Sequence, residues 1–285
     1  MTNQRIAVIT DSTNDLPQEF IDQYGIKVVP LTIVWNEKTY LDGVELKAIE
    51  FYERLLKDPF HPTTSQPSPS QFLEVFKQAK AEGAQELIVI TISGAMSGTI
   101  GSARTAAEMI DIPVHIVDSK SNSMSLGWQI LACVRARDAG ASVEKMLAAI
   151  ETVRGHLHYH IVLDTLEYLF KGGRIAGAAK LVNNVLKVKP QIRVNHNSGS
   201  VEPGGISRTR ASAIDLLYSS FFKKMDLSRP LRIAVLHNNA LDEARALVEK
   251  IKQEHHPVEL ILNIVSPVLG VHTGPRAIAL CGYYE

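Results

Sequence analysis

The heptapeptide Leu269-Gly270-Val271-His272-Thr273-Gly274-Pro275 sets one histidine among glycines and a proline, directly after the apolar run Leu260-Ile261-Leu262-Asn263-Ile264-Val265. Gly270 and Gly274 permit backbone conformations and close approaches that side chains forbid, and Pro275 stiffens the exit. His272 and Thr273 then offer hydrogen-bonding tips, either to a ligand or, in a plain strand-to-strand turn, to the backbone. A second group is Ser97-Gly98-Thr99, between a strand-like run and a helix starting near Thr99. Two hydroxyls and the free N–H groups of a helix N-terminus suit an anion there, although capping alone also explains them. A third is Pro62-Thr63-Thr64-Ser65-Gln66-Pro67-Ser68-Pro69. The prolines between Pro59 and Pro69 hold hydroxyl side chains on a stiff, non-helical backbone, whereas a swinging linker is richer in glycine and serine.

Other charged motifs admit chemistry less readily. Gly94, Gly98 and Gly101 do not space as G-x-G-x-x-G, and no Gly-Lys-Ser or Gly-Lys-Thr follows, so a nucleotide is not expected. Lys171-Gly172-Gly173-Arg174 resembles a phosphate loop only superficially. Leu166 to Phe170 before it reads as helix, so the glycines end a helix and leave Lys171 and Arg174 exposed, to solvent or to a docking partner. Arg208 lies just past a turn and before a helix, where a guanidinium reaches back toward an anion. Asp11 and Asp118 close strands and raise an enzyme reading, as metal-holding or nucleophilic carboxylates. The second acid is missing, however: Thr13 stands two residues after Asp11, and no HExxH or His/Asp cluster supplies a metal site. Capping by Asp-Ser pairs is the simpler role for both. Gly-x-Ser-x-Gly is absent, which argues against a serine hydrolase.

Lys+Arg and Asp+Glu number 30 each among 285 residues, so no global field draws in nucleic acid or an anionic membrane. Cys133 and Cys281 sit in apolar stretches without CxxC spacing and read as buried free thiols of a reducing compartment. Met1 to Arg5 is polar and leads straight into strand-like Ile6-Ala7-Val8-Ile9, with no signal peptide, and no apolar run approaches the roughly 20 residues that cross a bilayer. A cytoplasmic location is expected.

The elements that must position these residues alternate. Strand-like Ile6–Thr10, Lys27–Val34, Glu86–Ile92 and Val114–Val117 interleave with helix-like Pro17–Tyr24, Lys47–Lys57, Ser70–Gly83, Thr99–Met109 and Ser125–Ala139, as in a parallel sheet with crossover helices. Ligands of such sheets bind at the carboxyl edge, where Asp11-Ser12-Thr13, Ser93 to Thr99 and Asp118 to Ser121 fall. After a helix from Val143 to Gly155 the pattern changes. Strand-like His160–Leu163, a helix-prone Leu166–Leu186 broken at Gly172-Gly173, strand-like Lys189–Asn195, a hairpin at Asn197 to Ser200, a helix at Thr209–Lys224, strand-like Arg232–His237, a helix at Leu241–Lys252 and strand-like Glu259–Val265 indicate a smaller α/β unit with a mixed sheet. The expectation is an α/β fold of two domains: residues 1–155, an α/β/α unit on a parallel sheet, and residues 156–285, a mixed-sheet unit that completes a ligand site between them.

Six motifs appear together and in order: Ile9-Thr10-Asp11-Ser12-Thr13-Asn14-Asp15-Leu16-Pro17, Thr64-Ser65-Gln66-Pro67-Ser68, Ser97-Gly98-Thr99 with Ser102-Ala103, Val117-Asp118-Ser119, Tyr168-Leu169-Phe170-Lys171-Gly172-Gly173-Arg174-Ile175 and His272-Thr273-Gly274-Pro275. Over nearly the whole chain this resembles the DegV family. The resemblance implies a fatty-acid-binding protein that is not itself an enzyme, the acyl-carrier subunit of the bacterial fatty acid kinase. It would present a long-chain fatty acid such as palmitate, stearate or oleate to a separate ATP-binding subunit and touch the membrane surface transiently. No cofactor or metal is implied, and no nucleic acid.

Carried over by position, Thr64, Ser97, Gly98, His272 and Thr273 would hold the carboxylate, with Arg208 near the headgroup and Lys171 and Arg174 in a partner-docking motif. A buried carboxylate needs several donors to replace its hydration, which these constrained loops supply. At about 0.8 kcal/mol per buried methylene, a tail of roughly fifteen contributes on the order of 10 kcal/mol, so affinity would come from the tail. The chain departs from the family at Arg276, where glycine usually follows His-Thr-Gly-Pro; that arginine either adds a cation near the carboxylate or points outward. Two rival readings remain, a small-molecule phosphotransferase or hydrolase using Asp11, Ser97 and His272, and a module sensing another amphipathic carboxylate.

Overall fold

The computed structural model describes residues 6–175, 188–223, 225–226 and 228–285. In chain order the elements are β1 (Ile6–Asp11), a 3-10 turn (Ser12–Asn14), α1 (Gln18–Tyr24), β2 (Lys27–Val29), β3 (Thr32–Trp35), β4 (Lys38–Leu41), α2 (Ala48–Leu55), β5 (Thr63–Ser65), α3 (Pro69–Ala81), β6 (Glu86–Thr91), α4 (Thr99–Ala107), β7 (Val114–Asp118), α5 (Ser123–Asp138) and α6 (Val143–His156). The second half continues with β8 (His158–Val162), α7 (Glu167–Lys171), β9 (Lys189–Asn195), β10 (Ser200–Ser207), α8 (Arg210–Phe222), β11 (Leu231–His237), α9 (Leu241–His255), β12 (Glu259–Ile264), α10 (Pro267–Thr273) and β13 (Ile278–Tyr284).

The first sheet has the order β2-β1-β6-β7, all parallel. Its strands are apolar on both faces because both are covered. Ile9, Leu87 and Val89 pack with Phe72 and Phe76 of α3 and Ala103 of α4, while Val8, Ile88 and Ile90 face the core that holds Leu126 and Ile130 of α5. The second sheet has the order β10-β9-β8-β13-β11-β12, with β11 and β12 parallel and its other pairs antiparallel. Its outer face is covered by α8 and α9 through Leu217, Phe221, Leu247 and Ile251. Its inner face, including Tyr159, Ile161, Ile192 and Val194, joins the same core as the inner face of the first sheet. The α/β fold with a parallel and a mixed sheet is thus as the sequence indicates.

Four departures from the sequence reading bear on the site. The expected strand Lys27–Val34 is two strands, because Pro30 supplies no N–H for continued pairing, and β3 leaves to form a separate antiparallel sheet, β4-β3-β5. Part of the expected loop at Pro59–Pro69 is β5, which fixes Thr64 opposite Ile33. His272 lies in the last turn of a helix rather than in a strand-to-strand turn, since Pro267 starts α10 and Gly274, at φ +71°, ends it. Finally β13, unrecognised in the sequence, runs through the middle of the second sheet. Of the helix-prone Leu166–Leu186, residues 176–186 lie outside the described residues, as does Lys224. No helix among the described residues is long and apolar enough to cross a membrane.

α10 is docked by two buried carboxylates from the first half. Asp15 accepts from the Ser266 N–H (2.9 Å) and Asp42 from the Val268 N–H (3.1 Å), which satisfies donors at the start of the helix. Ser12 Oγ donates to Asp42 (2.6 Å) and Ser123 Oγ to Asp15. Burial nevertheless dominates, raising Asp15 to about 6 and Asp42 to about 7. The folded state therefore binds these protons more tightly than the unfolded chain does, and their contribution to stability is lost as pH rises from about 4 through 7. We expect Asp42→Asn to raise the thermal unfolding midpoint relative to the parent more at pH 8 than at pH 5. An equal difference at both values would mean that Asp42 ionises as freely in the folded protein as in the unfolded chain.

Candidate functional site

Between the sheets lies a cavity of about 460 Å³, a size typical of small-molecule sites. Leu31, Ile92, Ile161, Ile192, Val194 and Leu269 contribute to its apolar wall, and Thr64, Gln66, Ser97, Gly98, Arg174 and His272 to its polar one. Residues far apart in sequence thus meet at one place.

Thr64 Oγ1 lies 2.9 Å from His272 Nε2. The ring is buried at the end of α10, and burial, with Arg174 and His61 adding repulsion, pushes its pKa down to about 4, so His272 is neutral at physiological pH. One nitrogen carries hydrogen and the other does not, so the pair has two arrangements. With hydrogen on Nε2, His272 donates to Thr64 and leaves the threonine hydroxyl free to donate onward. Gly172 makes room for the ring: a Cβ there would sit 2.1 Å from Nδ1. Gly274 similarly lets the chain cross the Tyr168 ring, 2.2 Å from where its Cβ would be.

The second cluster stands where β6 gives way to α4. Ser97 Oγ lies 2.8 Å from Thr99 Oγ1 and accepts from the Thr99 N–H at 3.4 Å. If the Thr99 hydroxyl also donates to it, the Ser97 hydrogen points elsewhere. The Gly98 N–H has no protein acceptor among the described residues. Gln66 lies directly over Gly98, its Oε1 2.0 Å from the position of a Cβ, while its Nε2 donates to Ser102 Oγ (3.0 Å). Gln66 was visible only as part of a motif; its packing on Gly98 gives it a positioning role that sequence spacing does not reveal.

The remaining expected residues separate. Thr273 lines the cavity, but its hydroxyl donates to Leu269 O (2.9 Å) and accepts from Asn238 Nδ2 (2.8 Å), so its hydrogen is already committed. Arg208 is exposed in the turn after β10 and is not among the cavity-lining residues. Lys171 pairs with Glu167 (2.6 Å) at the surface, whereas Arg174 lines the cavity and bonds Gly172 O (2.9 Å) and Met96 O (3.4 Å). Arg276 points outward toward Glu243, 3.8 Å away.

Asp11 caps the 3-10 turn, whereas Asp118 caps no helix and braces two loops. Asp11 accepts from the N–H groups of Thr13 (3.0 Å) and Ile92 (2.7 Å), and Asp118 from those of Lys120 (2.9 Å) and Gly94 (3.2 Å). Neither lines the cavity. Among the described residues no group of three His, Cys, Asp or Glu side chains suits a metal ion.

A family model described as "Uncharacterised protein, DegV family" matches residues 5–285. The chain belongs to the DegV family. A DegV domain-containing protein of Deinococcus radiodurans is 34% identical over 275 residues, covering 96% of this chain and 97% of that one. Protein DegV of Bacillus subtilis is 31% identical over 282 residues, covering 98% and 99%. Among solved structures, a DegV family protein from Thermus thermophilus described for fatty acid binding superposes with a TM-score of 0.91 at 31% identity, covering 99% of this chain and 100% of that one. The B. subtilis DegV structure, a fatty acid binding protein, gives 0.90 at 30% identity with 99% of each chain covered. A stearic acid-binding protein from Eubacterium ventriosum gives 0.90 at 26%, with 98% of each covered.

The Gly172 contact yields a test within this DegV protein. Gly172→Ala forces a methyl against the His272 ring, and overpacking of this kind costs roughly 1–3 kcal/mol. We expect a lower unfolding midpoint and a displaced His272 imidazole signal in NMR spectra; an unmoved signal would refute the close contact.

Proposed function

We propose that this protein binds one long-chain fatty acid, with the tail in the apolar part of the cavity and the carboxylate held by the Thr64 hydroxyl, the Ser97 hydroxyl and the Gly98 N–H. The observation that carries the reading is the pairing of a mostly apolar cavity with unspent donors on two loops that face each other across it. Neutral His272 supports Thr64 from behind: its Nε2 hydrogen goes to Thr64 Oγ1, and the threonine hydrogen goes to the carboxylate. Arg174 at the cavity wall supplies a positive charge. The fatty acids bound by related structures support the same ligand class for this chain.

The protein presents this carboxylate to a separate ATP-binding kinase subunit and performs no phosphoryl transfer itself. The absence of a nucleotide fingerprint in the sequence supports this division, as does the placing of Arg174 beside an exposed Lys171 and an exposed Phe170. A partner or a membrane surface meeting those residues meets the cavity at its polar end. A cytoplasmic location accords with both contacts.

Native mass spectrometry of the freshly purified protein, followed by extraction and fatty-acid analysis, should find one fatty acid per chain. Thr64→Val should weaken binding about tenfold, the loss of roughly 1.4 kcal/mol expected for one hydrogen bond to a charged group. Because His272 is held at about 4, affinity should vary little through its titration between pH 6 and 8. A ligand-free protein that refuses added fatty acids would overturn the reading, and hydrolysis or phosphoryl transfer by the isolated chain would replace it with an enzyme.

A further inference from the structure

The headgroup cluster defines one end of the cavity, and the strands of the second sheet define the other. β8 leads into α7, and Gly172, which caps α7, abuts His272, so each step back along β8 from Val162 moves away from the headgroup by about 3.3 Å. Ile161 comes first along this wall and Tyr159 about 7 Å beyond it. β9 runs antiparallel beside β8 with Ile192 opposite Ile161, so Val194 likewise lies two residues farther from the headgroup. All four residues line the cavity.

Tyr159 and Val194 also line a second cleft, of about 350 Å³, which opens where the β8–β9 pairing stops at His160 and Arg193. This cleft is polar, with Arg154, Arg193 and His196 among its walls. Its geometry is pinned: Arg154 donates to Asp118 O (3.1 Å), and His196 Nε2 lies 2.7 Å from Ser125 Oγ. Tyr159 and Val194 are both buried. A partition two side chains wide therefore stands between an apolar space and a polar one.

We infer that Tyr159 and Val194 form the closed end of the acyl cavity and set the length of fatty acid that this protein accepts. The inference rests on the fatty-acid reading above and gives it a specificity determinant. A chain too long for the space must drive its terminal methyl through this partition into the polar cleft, where the burial that favours the tail is lost. A shorter chain leaves contacts at the partition unmade. The cutoff should be steep on the long side because the room beyond the partition is not apolar.

The test is competition binding of saturated fatty acids of different length to the full chain, with folding of each variant verified by circular dichroism. In the parent, affinity should rise with each methylene and then fall at one length. Val194→Ala should move that optimum to longer acids, and Val194→Phe to shorter ones, with the long-to-short affinity ratio changing at least fivefold in opposite directions. Tyr159→Phe keeps the ring and should keep the parental optimum, while Tyr159→Leu should lengthen it. Parental length profiles in both Val194 variants and in Tyr159→Leu would overturn the inference while leaving fatty-acid binding intact. A parent that binds no fatty acid of any length would instead overturn the reading on which it rests.

Discussion

Two sheets with apolar inner faces would ordinarily pack about 10 Å apart and leave nothing between them. What prevents this here is α5, which lies between the sheets and is buried nearly without interruption from Ser123 to Val134. A helix buried on every side over this stretch has no solvent face to return to, so it acts as a spacer. Trp128 fixes its distance from the second sheet: the indole N–H donates to Cys281 O of β13 (3.2 Å), and the ring meets Tyr283 edge-on. Arg135, farther along the helix, grips Glu259 of β12 with two hydrogen bonds (3.0 and 2.7 Å). The cavity occupies the space that this spacing leaves beside the helix.

That arrangement separates two tasks. The tail wall is made from paired strands, whose side chains are fixed by the ladder, and it needs only apolar surface. The headgroup wall is made from chain ends and turns, where N–H groups and hydroxyls escape the regular hydrogen-bond pattern. His272 joins the two. It reaches the cavity because α10 ends there, and α10 begins where Asp15 and Asp42 accept its first N–H groups. Three acids of the N-terminal region, Asp11 included, are thus engaged in holding backbone, which explains their burial without invoking catalysis.

Much of this was legible in the chain. Alternating apolar runs and crossover helices report local periodicity, and the polar loops after β1, β6 and β7 follow directly from it. What escaped was non-local. β13, with Ile278-Ala279-Leu280-Cys281-Gly282, has an apolar run as clear as any other, but nothing within it signals a place between β8 and β11, since its partners are more than forty residues away. His272 looked like a turn residue because glycines flank it, yet Gly270 is needed for close packing on Phe51 and Tyr52 rather than for a turn. The split between Lys171 and Arg174 has the same origin: both are cations beside Gly172-Gly173, and only the fold decides which one faces Met96 and which one pairs with Glu167. That Arg208 stands outside the cavity lining is equally invisible in a turn motif.

The two ends of the cavity therefore differ in how readily they open. Strands β8 and β9 are held by a ladder and backed by α8, so separating them breaks several hydrogen bonds together and exposes a core. The headgroup end is closed by contacts between segments distant in sequence, such as Thr64 with His272 and Arg174 with Met96, the latter near the limit of a hydrogen bond at 3.4 Å. Local opening follows the weaker set, because its free energy is the sum of the few bonds it breaks. In the proposed binding mode a fatty acid would then enter tail first through the polar end, and its carboxylate would be the last group to settle and the first to be exposed. A carrier that must offer a carboxylate to another protein while keeping fifteen or so methylenes out of water needs this asymmetry.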